Sequence, residues 1–195
     1  MPKIIADEWM TLDGVVQAPG DPDEDRSGGF RHGGWHIPYF DDLSQEWVVE
    51  YLNEAGAFLF GRRTYEILAG YWPNASEEER AVAEPLNTKP KHVASTTLTE
   101  PLDWEGASLL QGDLAQAVSA LKEEDGGDIH VIGSAGLVRA LLEHDLVDGL
   151  NLMIDPLAVG GGKSIFPDDG ALRPMRLVRS EVTTTGAILA TYARA

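Results

Sequence analysis

The segment that most constrains this chain covers residues 129–142. A short apolar run over residues 129–132 is followed by Gly133-Ser134-Ala135-Gly136, and apolar residues then recur at helical spacing over residues 137–144. This pattern is typical of a buried parallel strand that leads directly into a helix. A parallel strand needs neighbouring strands, so the segment predicts an open α/β sheet.

The rest of the chain repeats this alternation. Strands are predicted at residues 3–11, 57–60, 91–94, 108–111 and 150–154, and helices at 63–72 and 114–124. A further helix is predicted to start at Asp41 or Asp42 and to stop at Gly56, and residues 177–184 and 187–192 form a predicted hairpin around Thr185-Gly186. We therefore predict one α/β domain over residues 1–195, with a mixed, mostly parallel sheet, helices on both faces and a C-terminal antiparallel hairpin.

Residues 17–40 form a long loop in this prediction, and residues 17–34 are expected to be an exposed excursion because they are rich in Gly, Pro and Asp.

The net charge of −17 and the pI of about 4.5 disfavour binding to nucleic acid. There is no cysteine, no basic and apolar leader, and no run long enough to span a membrane, so a cytoplasmic location is expected.

Polar and glycine residues follow three of the predicted strands. Ligands in open α/β sheets bind outside the carboxyl ends of the strands, and backbone N–H groups at a helix start favour an anion. Each group also has a plainer interpretation, as a serine-capped turn, as solvated arginines or as an ordinary loop. Together they favour a dinucleotide with an extra phosphate, NADPH, over NADH. The residues concerned are Gly61, Arg62, Arg63 and Thr64; Ser95, Thr96 and Thr97; and Gly133, Ser134, Ala135, Gly136 and Leu137.

Three other patterns are rejected. Residues 157–164 end in Gly-Lys-Ser like a phosphate-binding loop, but Leu157 replaces the first glycine and Pro167 follows too soon for a helix. Residues 21–25 begin like a calcium loop but lack its turn glycine, which favours a solvated acidic loop. His32 and His36 are four residues apart with no clear third ligand, so no metal site is expected.

The motifs resemble those of the dihydrofolate reductase-like superfamily, in the branch of the reductase domain of the bacterial riboflavin biosynthesis deaminase–reductase. The likeness covers nearly the whole chain. It rests on Thr11-Leu12-Asp13-Gly14, Gly61-Arg62-Arg63-Thr64-Tyr65-Glu66, Lys91-His92-Val93-Ala94-Ser95, and the run from Ile129 through Gly133, Leu146-Val147-Asp148, Pro156 and Gly160-Gly161-Gly162-Lys163 to Phe166.

The resemblance implies a role for each group. Arg62, Arg63 and Thr64 would hold the adenosine phosphate of NADPH with Ser95 and Thr96, and residues 133–137 would hold the pyrophosphate. The loop after Asp13-Gly14 would border the nicotinamide. Trp35, Tyr39 and Phe40, with Asp155, would face a small-molecule substrate. The family also implies a homodimer.

The chain departs from the family at two places. Gly133-Ser134 stands where the family has paired glycines, and Phe40 stands where true dihydrofolate reductases have a pterin-binding carboxylate two residues after Pro38, which argues against folate. The lack of cysteine excludes the zinc-containing deaminase half.

The function predicted from sequence is therefore NADPH-dependent reduction of a pterin-like, pyrimidine-like or carbonyl compound. The proton that accompanies the hydride would come from Asp13, Asp155 or a bound water, although both aspartates also fit turn or structural roles. The alternative is a non-catalytic NADP(H)-binding or sensor protein that keeps the reductase fold.

Overall fold

A computed structural model describes residues 1–195 as one eight-stranded sheet with helices on both faces. The strand order is β4-β3-β2-β5-β1-β6-β8-β7. The first six strands in this order pair in parallel, whereas β8 pairs antiparallel with both β6 and β7. The strands are β1 (Ile4–Thr11), β2 (Ala57–Gly61), β3 (Lys91–Ala94), β4 (Ala107–Leu109), β5 (Ile129–Val131), β6 (Gly149–Asp155), β7 (Met175–Val182) and β8 (Ile188–Arg194). The predicted fold class is confirmed.

Five α-helices connect these strands: α1 (Asp42–Glu54), α2 (Arg62–Tyr71), α3 (Arg80–Thr88), α4 (Leu114–Glu123) and α5 (Ala135–Glu143). Four of them correspond to predicted helices. The sequence pattern does not predict α3, which contains Pro85. The buried residues of this helix are Ala83, Pro85 and Leu86. None of the helices combines the length and the hydropathy needed to cross a membrane.

The two faces of the sheet carry separate apolar cores. On one face Ile4, Ala6 and Val131 pack with residues of α4 and α5, in a cluster of 17 buried residues. On the other face Phe58 and Phe60 pack with α1, α2 and α3, in a cluster of 14. Each large aliphatic or aromatic side chain so buried contributes about 1.5–3 kcal/mol, so this packing fixes the sheet between two helical layers.

The strand order brings the carboxyl ends of the six parallel strands to one edge of the sheet, and the candidate residues follow five of them, in the order β3, β2, β5, β1, β6. Neighbouring strands lie about 4.8 Å apart, so these five ends span about 20 Å. Strand β5 is inserted between β1 and β2, so the turn after residue 131 lies between the ends of the first two strands of the chain. This edge carries the candidate site.

Residues 20–23 and 26–29 of the long loop are exposed, as the composition predicts, but the loop is anchored at buried positions. Gln17 and Asp25 are buried, and Trp35 is 6% exposed, with its indole N–H donating to the Gln17 carbonyl over 2.8 Å. The Asp25 carboxylate forms ion pairs with Arg63 and Lys163. The solvated-loop prediction is therefore wrong for Asp25, because two cations from distant segments draw its side chain inward.

Candidate active site

The turns after β2 and β5 interlock at the centre of the edge. The Gly61 N–H donates to the Gly133 carbonyl over 3.3 Å, and a β-carbon on Gly61 would overlap the Ser134 side chain. Gly133 has a φ of +58°, and a β-carbon on it would lie 3.1 Å from Thr64 Oγ1. The peptide bond between Gly133 and Ser134 is cis. Two of the three groups identified from the sequence are thus in direct contact, and we refer to the surface over these two turns as the crevice.

The helices that start at this crevice differ in their capping from α1 and α4, and they share the lack of a side-chain cap with α3. The Asp41 carboxylate caps α1 by accepting from the Ser44 N–H over 3.0 Å, and Asp113 caps α4 in the same way at 3.1 Å from the Gln116 N–H. In contrast, α2 and α5 start at Gly61 and Ser134 with no side-chain cap. The Ser134 hydroxyl does not cap α5, which begins at Ala135 rather than at Leu137. Two positive helix ends therefore meet without an acidic cap, which favours an anion between them.

The two arginines at the start of α2 already have acidic partners. Arg62 is paired with Glu66 one helical turn away, at 2.9 Å, and Arg63 is paired with Asp25 of the long loop. Both arginine side chains are about half exposed, at 47% and 46%. The Arg62–Glu66 pair is exposed on both sides and is worth about 0–1 kcal/mol, so a phosphate can compete for Arg62. The Asp25 side chain is only 9% exposed, so a phosphate that bound Arg63 would have to displace a half-buried pair.

Ser95 and Thr96 follow β3, whose last residue, Ala94, pairs with Gly61. The Ser95 hydroxyl accepts from the N–H groups of Thr97 and Leu98, at 3.2 Å and 3.0 Å, so it closes its own turn. Thr96 is exposed. The third group of the sequence prediction therefore lies at the neighbouring strand end. Of its three hydroxyls, those of Ser95 and Thr97 lie 3.5 Å apart in a hydrogen bond, and that of Thr96 makes none.

The turn after β1 holds the glycine-rich loop at residues 159–162. The Asp13 carboxylate accepts from Thr11 Oγ1 at 2.5 Å and from the N–H of Gly160 at 2.7 Å. These hydrogen bonds lower the pKa of Asp13. Gly14, with a φ of +82°, completes the turn by donating to the Thr11 carbonyl over 2.9 Å. An ionised, fully hydrogen-bonded Asp13 is suited to fixing this loop and carries no proton to donate.

A buried histidine–carboxylate pair lies at the end of β6. His36 Nδ1 is 2.7 Å from Asp155 Oδ2, and the two residues are 2% and 0% exposed. His36 Nε2 and Asp155 Oδ1 are buried with no hydrogen-bond partner. The sequence identifies Asp155 as a candidate, whereas His36 is considered there only as a rejected metal ligand beside His32. No local signal could have paired them, because 119 residues separate them along the chain.

Aromatic rings surround the imidazole of His36. Trp9 stacks on it with ring centroids 4.1 Å apart, and Phe40 approaches edge-on at 5.4 Å. Phe40 is 37% exposed, so it lies where a ligand would meet the pair. Trp35 is buried and is hydrogen-bonded to the Gln17 carbonyl within the loop. Tyr39 is anchored through its carbonyl, which accepts from Thr185 Oγ1 at 2.6 Å.

A second buried acid, Glu8, lies on the central strand β1. It is 8% exposed and its Oε1 has no partner. Burial, reinforced by the neighbouring Asp7 carboxylate, raises the pKa of Glu8 to about 8, although a backbone hydrogen bond from Gly133 acts in the opposite direction. Near neutral pH this carboxyl is therefore largely protonated beside the crevice. Sequence reasoning missed Glu8 because an acidic residue inside a strand gives no signal of its own.

The segment at residues 157–164 behaves as its sequence predicts. No helix follows it, and it packs on the end of β1 through hydrogen bonds from Leu12 N–H to the Leu157 carbonyl, 2.8 Å, and from Val16 N–H to the Lys163 carbonyl, 2.9 Å. It is a supporting loop of the β1 turn and not a phosphate-binding loop.

The fold has three layers, with the sheet between two layers of helices, and it is that of a dihydrofolate reductase-like domain of the reductase type. The chain belongs to the RibD C-terminal domain family, whose model matches residues 2–189.

Known proteins resemble the chain over almost its full length. Protein YyaP of Bacillus subtilis (strain 168), itself uncharacterized, is 26% identical over 193 residues, which is 97% of this chain and 94% of that protein. A protein from Shewanella sp. PV-4 described as a riboflavin biosynthesis protein has a crystal structure that matches with a TM-score of 0.70 and 21% identity, over 99% of both chains. A pyrimidine reductase-like protein from Corynebacterium diphtheriae matches with a TM-score of 0.68 and 14% identity, over 100% of this chain and 92% of that one.

Proposed function

We propose that this protein is an NADPH-dependent reductase that transfers hydride to a small pterin-like, pyrimidine-like or carbonyl substrate. The observation that carries the proposal is the meeting of the two uncapped helix starts, at Gly61 and Ser134, in one glycine-lined crevice. Backbone N–H groups and helix dipoles in such a crevice suit a pyrophosphate, even in a protein of strongly negative net charge.

The order of strand ends supports a placement for the cofactor. Arg62, Arg63 and Thr64 with Ser95 and Thr96 would hold the adenosine phosphate, at the ends of β2 and β3. Residues 133–137 would hold the pyrophosphate at the end of β5, and the turn containing Gly14 would border the nicotinamide at the end of β1. When bound, NADPH supplies the hydride, while the protein supplies orientation and excludes water.

The substrate would then lie beyond the nicotinamide, over the end of β6. Asp155 is the last residue of that strand, and Phe40 and Trp9 offer ring faces and edges beside it. A planar ring is suited to such aromatic surroundings. That one structural neighbour is called a pyrimidine reductase-like protein supports the same substrate class.

Steady-state NADPH oxidation tests this proposal. The purified chain is assayed against a panel of pterins, flavin precursors and simple carbonyl compounds. We expect oxidation of NADPH that depends on at least one of these acceptors and yields its reduced product. Tight NADPH binding without reduction of any acceptor would overturn the reductase function and favour the alternative of a nucleotide sensor.

We also propose that the protein acts as a homodimer, with the exposed face of β7 as the contact surface. This edge strand exposes Leu177, Val178 and Val182, at 50%, 54% and 67%. A cytoplasmic location stays a prediction of the sequence.

A further inference from the structure

The molecule contains two buried histidine–aspartate pairs, and they differ in one respect. His130 Nδ1 lies 2.8 Å from Asp7 Oδ2, and the other oxygen of Asp7 accepts from the Asn151 side-chain amide at 2.7 Å. Neither of these Asp7 oxygens is left without a partner. In the pair formed by His36 and Asp155, one nitrogen and one oxygen are buried with none.

A buried polar atom without a partner costs about 1–3 kcal/mol. A pair that served only to hold the loop would be more stable with both remaining atoms hydrogen-bonded, as Asp7 is. The open atoms therefore point to a group that is absent from the free protein. The first pair is a structural network, and the second is a site.

The position of the second pair fits a role in the proposed reaction. Asp155 is paired in the sheet with Thr11, the last residue of β1, so it is one strand away from the proposed nicotinamide position. Asp155 is the one carboxylate that hydrogen-bonds to the His36 imidazole. The remaining neighbours of the imidazole are the aromatic rings of Trp9, Trp35 and Phe40. A carboxylate at Nδ1 fixes the orientation of the ring, so that Nε2 is the nitrogen left to face a ligand.

We propose that His36 protonates the substrate through Nε2, and that Asp155 is its positioning residue. This inference rests on the proposed reductase function. The hydride with its two electrons adds to the carbon of a C=N or C=O bond, and the π electrons of that bond move to the nitrogen or oxygen. The proton of Nε2 passes to that atom. His36 is left neutral, Asp155 remains ionised, and solvent returns the proton in the next cycle.

The test uses His36→Gln and His36→Asn, which remove the acid, and Asp155→Asn, which removes the positioning charge. Glutamine keeps an N–H donor near Nε2 but cannot transfer a proton. His130→Gln is the matched control, because it removes the buried histidine of the structural pair. NADPH affinity and thermal stability are measured for every variant, and kcat is measured from pH 5 to 9 with the acceptor found in the panel.

We expect both His36 variants to bind NADPH within about twofold of the wild type and to lose about 100-fold in kcat, the usual scale of general acid catalysis. The wild-type kcat should fall as pH rises, because a general acid acts only in its protonated form, and this fall should vanish in the His36 variants. The fall of kcat with rising pH should persist in His130→Gln. It should also persist in Glu8→Gln, which removes the other titrating group near the crevice.

A second readout needs neither cofactor nor substrate. In ¹⁵N NMR spectra of the free protein, the His36 Nδ1 resonance should differ between the wild type and Asp155→Asn, because the carboxylate contact at 2.7 Å is lost. If an acceptor is reduced but the His36 variants keep kcat within threefold, or if the two Nδ1 resonances coincide, the role of His36 is wrong and the reductase function stands. If NADPH binds and no acceptor is reduced, the reductase function fails and this inference fails with it.

Discussion

The Ser134 side chain occupies the space that a β-carbon on Gly61 would need. This contact joins the end of β2 to the end of β5, and it makes one crevice of two turns that are far apart in the sequence. Gly61 has a φ of −73°, which any residue can adopt, so its requirement for glycine is steric and not conformational.

Gly61→Ala tests that contact. The added methyl group should force the two turns apart, lower the free energy of unfolding by about 1–3 kcal/mol, and weaken NADPH binding. Gly70→Ala is the control, because a β-carbon at Gly70 in the helix that follows meets nothing within 4 Å. That variant should gain about 0.4–1 kcal/mol from reduced chain entropy. Urea unfolding and NADPH titration measure both effects, and equal behaviour of the two variants would contradict the interlocked crevice.

Glu8→Gln tests the buried acid of the central strand. The pKa of Glu8 is raised from 4.5 to about 8 in the folded protein, so between these pH values the native state holds a proton that the unfolded state has released. Stability from this group is therefore fully present at low pH and is lost as pH rises, by at most about 1.4 kcal/mol per pH unit.

The amide that replaces the carboxyl group in this variant does not titrate. Glu8→Gln should therefore have a higher free energy of unfolding than the wild type at pH 8. This difference between the two proteins should be larger at pH 8 than at pH 5. Urea unfolding across this pH range gives both curves. Parallel stability curves for the two proteins would show that Glu8 titrates normally.

Asp25→Asn tests the attachment of the long loop. Burial alone would raise the pKa of the Asp25 carboxyl, but hydrogen bonds from Lys163, Ser27 and Arg63 hold it well below its usual range. Without the charge, the loop should open more often, so that amide exchange across residues 17–34 becomes faster by about tenfold or more. A tenfold change corresponds to about 1.4 kcal/mol in the free energy of loop opening. Asp23→Asn, at an exposed carboxylate paired with Arg26, should leave exchange unchanged. Equal exchange in both variants would mean that Asp25 does not hold the loop.

The proposed dimer surface is tested by Val178→Glu combined with Val182→Glu. The unpaired edge of β7 and its exposed aliphatic side chains should pack against a second copy, and buried charges would oppose this contact. Light scattering should give twice 21.1 kDa for the wild type and 21.1 kDa for the variant. Leu172→Glu, at an 89% exposed residue outside β7, should remain dimeric. A monomeric wild type would contradict the proposal.

The sequence predicts most of the fold because local patterns determine it. Apolar runs and helical periodicity place every strand, and they place α1, α2, α4 and α5 to within about two residues, whereas α3 gives no clear pattern because of its proline and its acidic surroundings. The rule that ligands bind at strand ends also brings together Gly61, Thr64 and Gly133 before any coordinates are known.

The sequence could not predict contacts that depend on the order of strands in the sheet. Asp25 meets Lys163, and His36 meets Asp155, across 138 and 119 residues. An isolated histidine or aspartate in a loop has many possible partners, and only the folded sheet selects one. The Arg63–Asp25 pair depends on the fold in the same way, whereas the Arg62–Glu66 pair joins residues four apart on one helix.

The central claim is that the crevice binds NADPH, and fluorescence titration of the wild type with NADPH and with NADH tests it most directly. We expect NADPH to bind at least tenfold more tightly than NADH. Arg62→Ala and Arg63→Ala should each remove most of this preference while leaving NADH affinity nearly unchanged, because each would contact only the extra phosphate. Failure of both nucleotides to bind, or unchanged NADPH affinity in both arginine variants, would contradict the account.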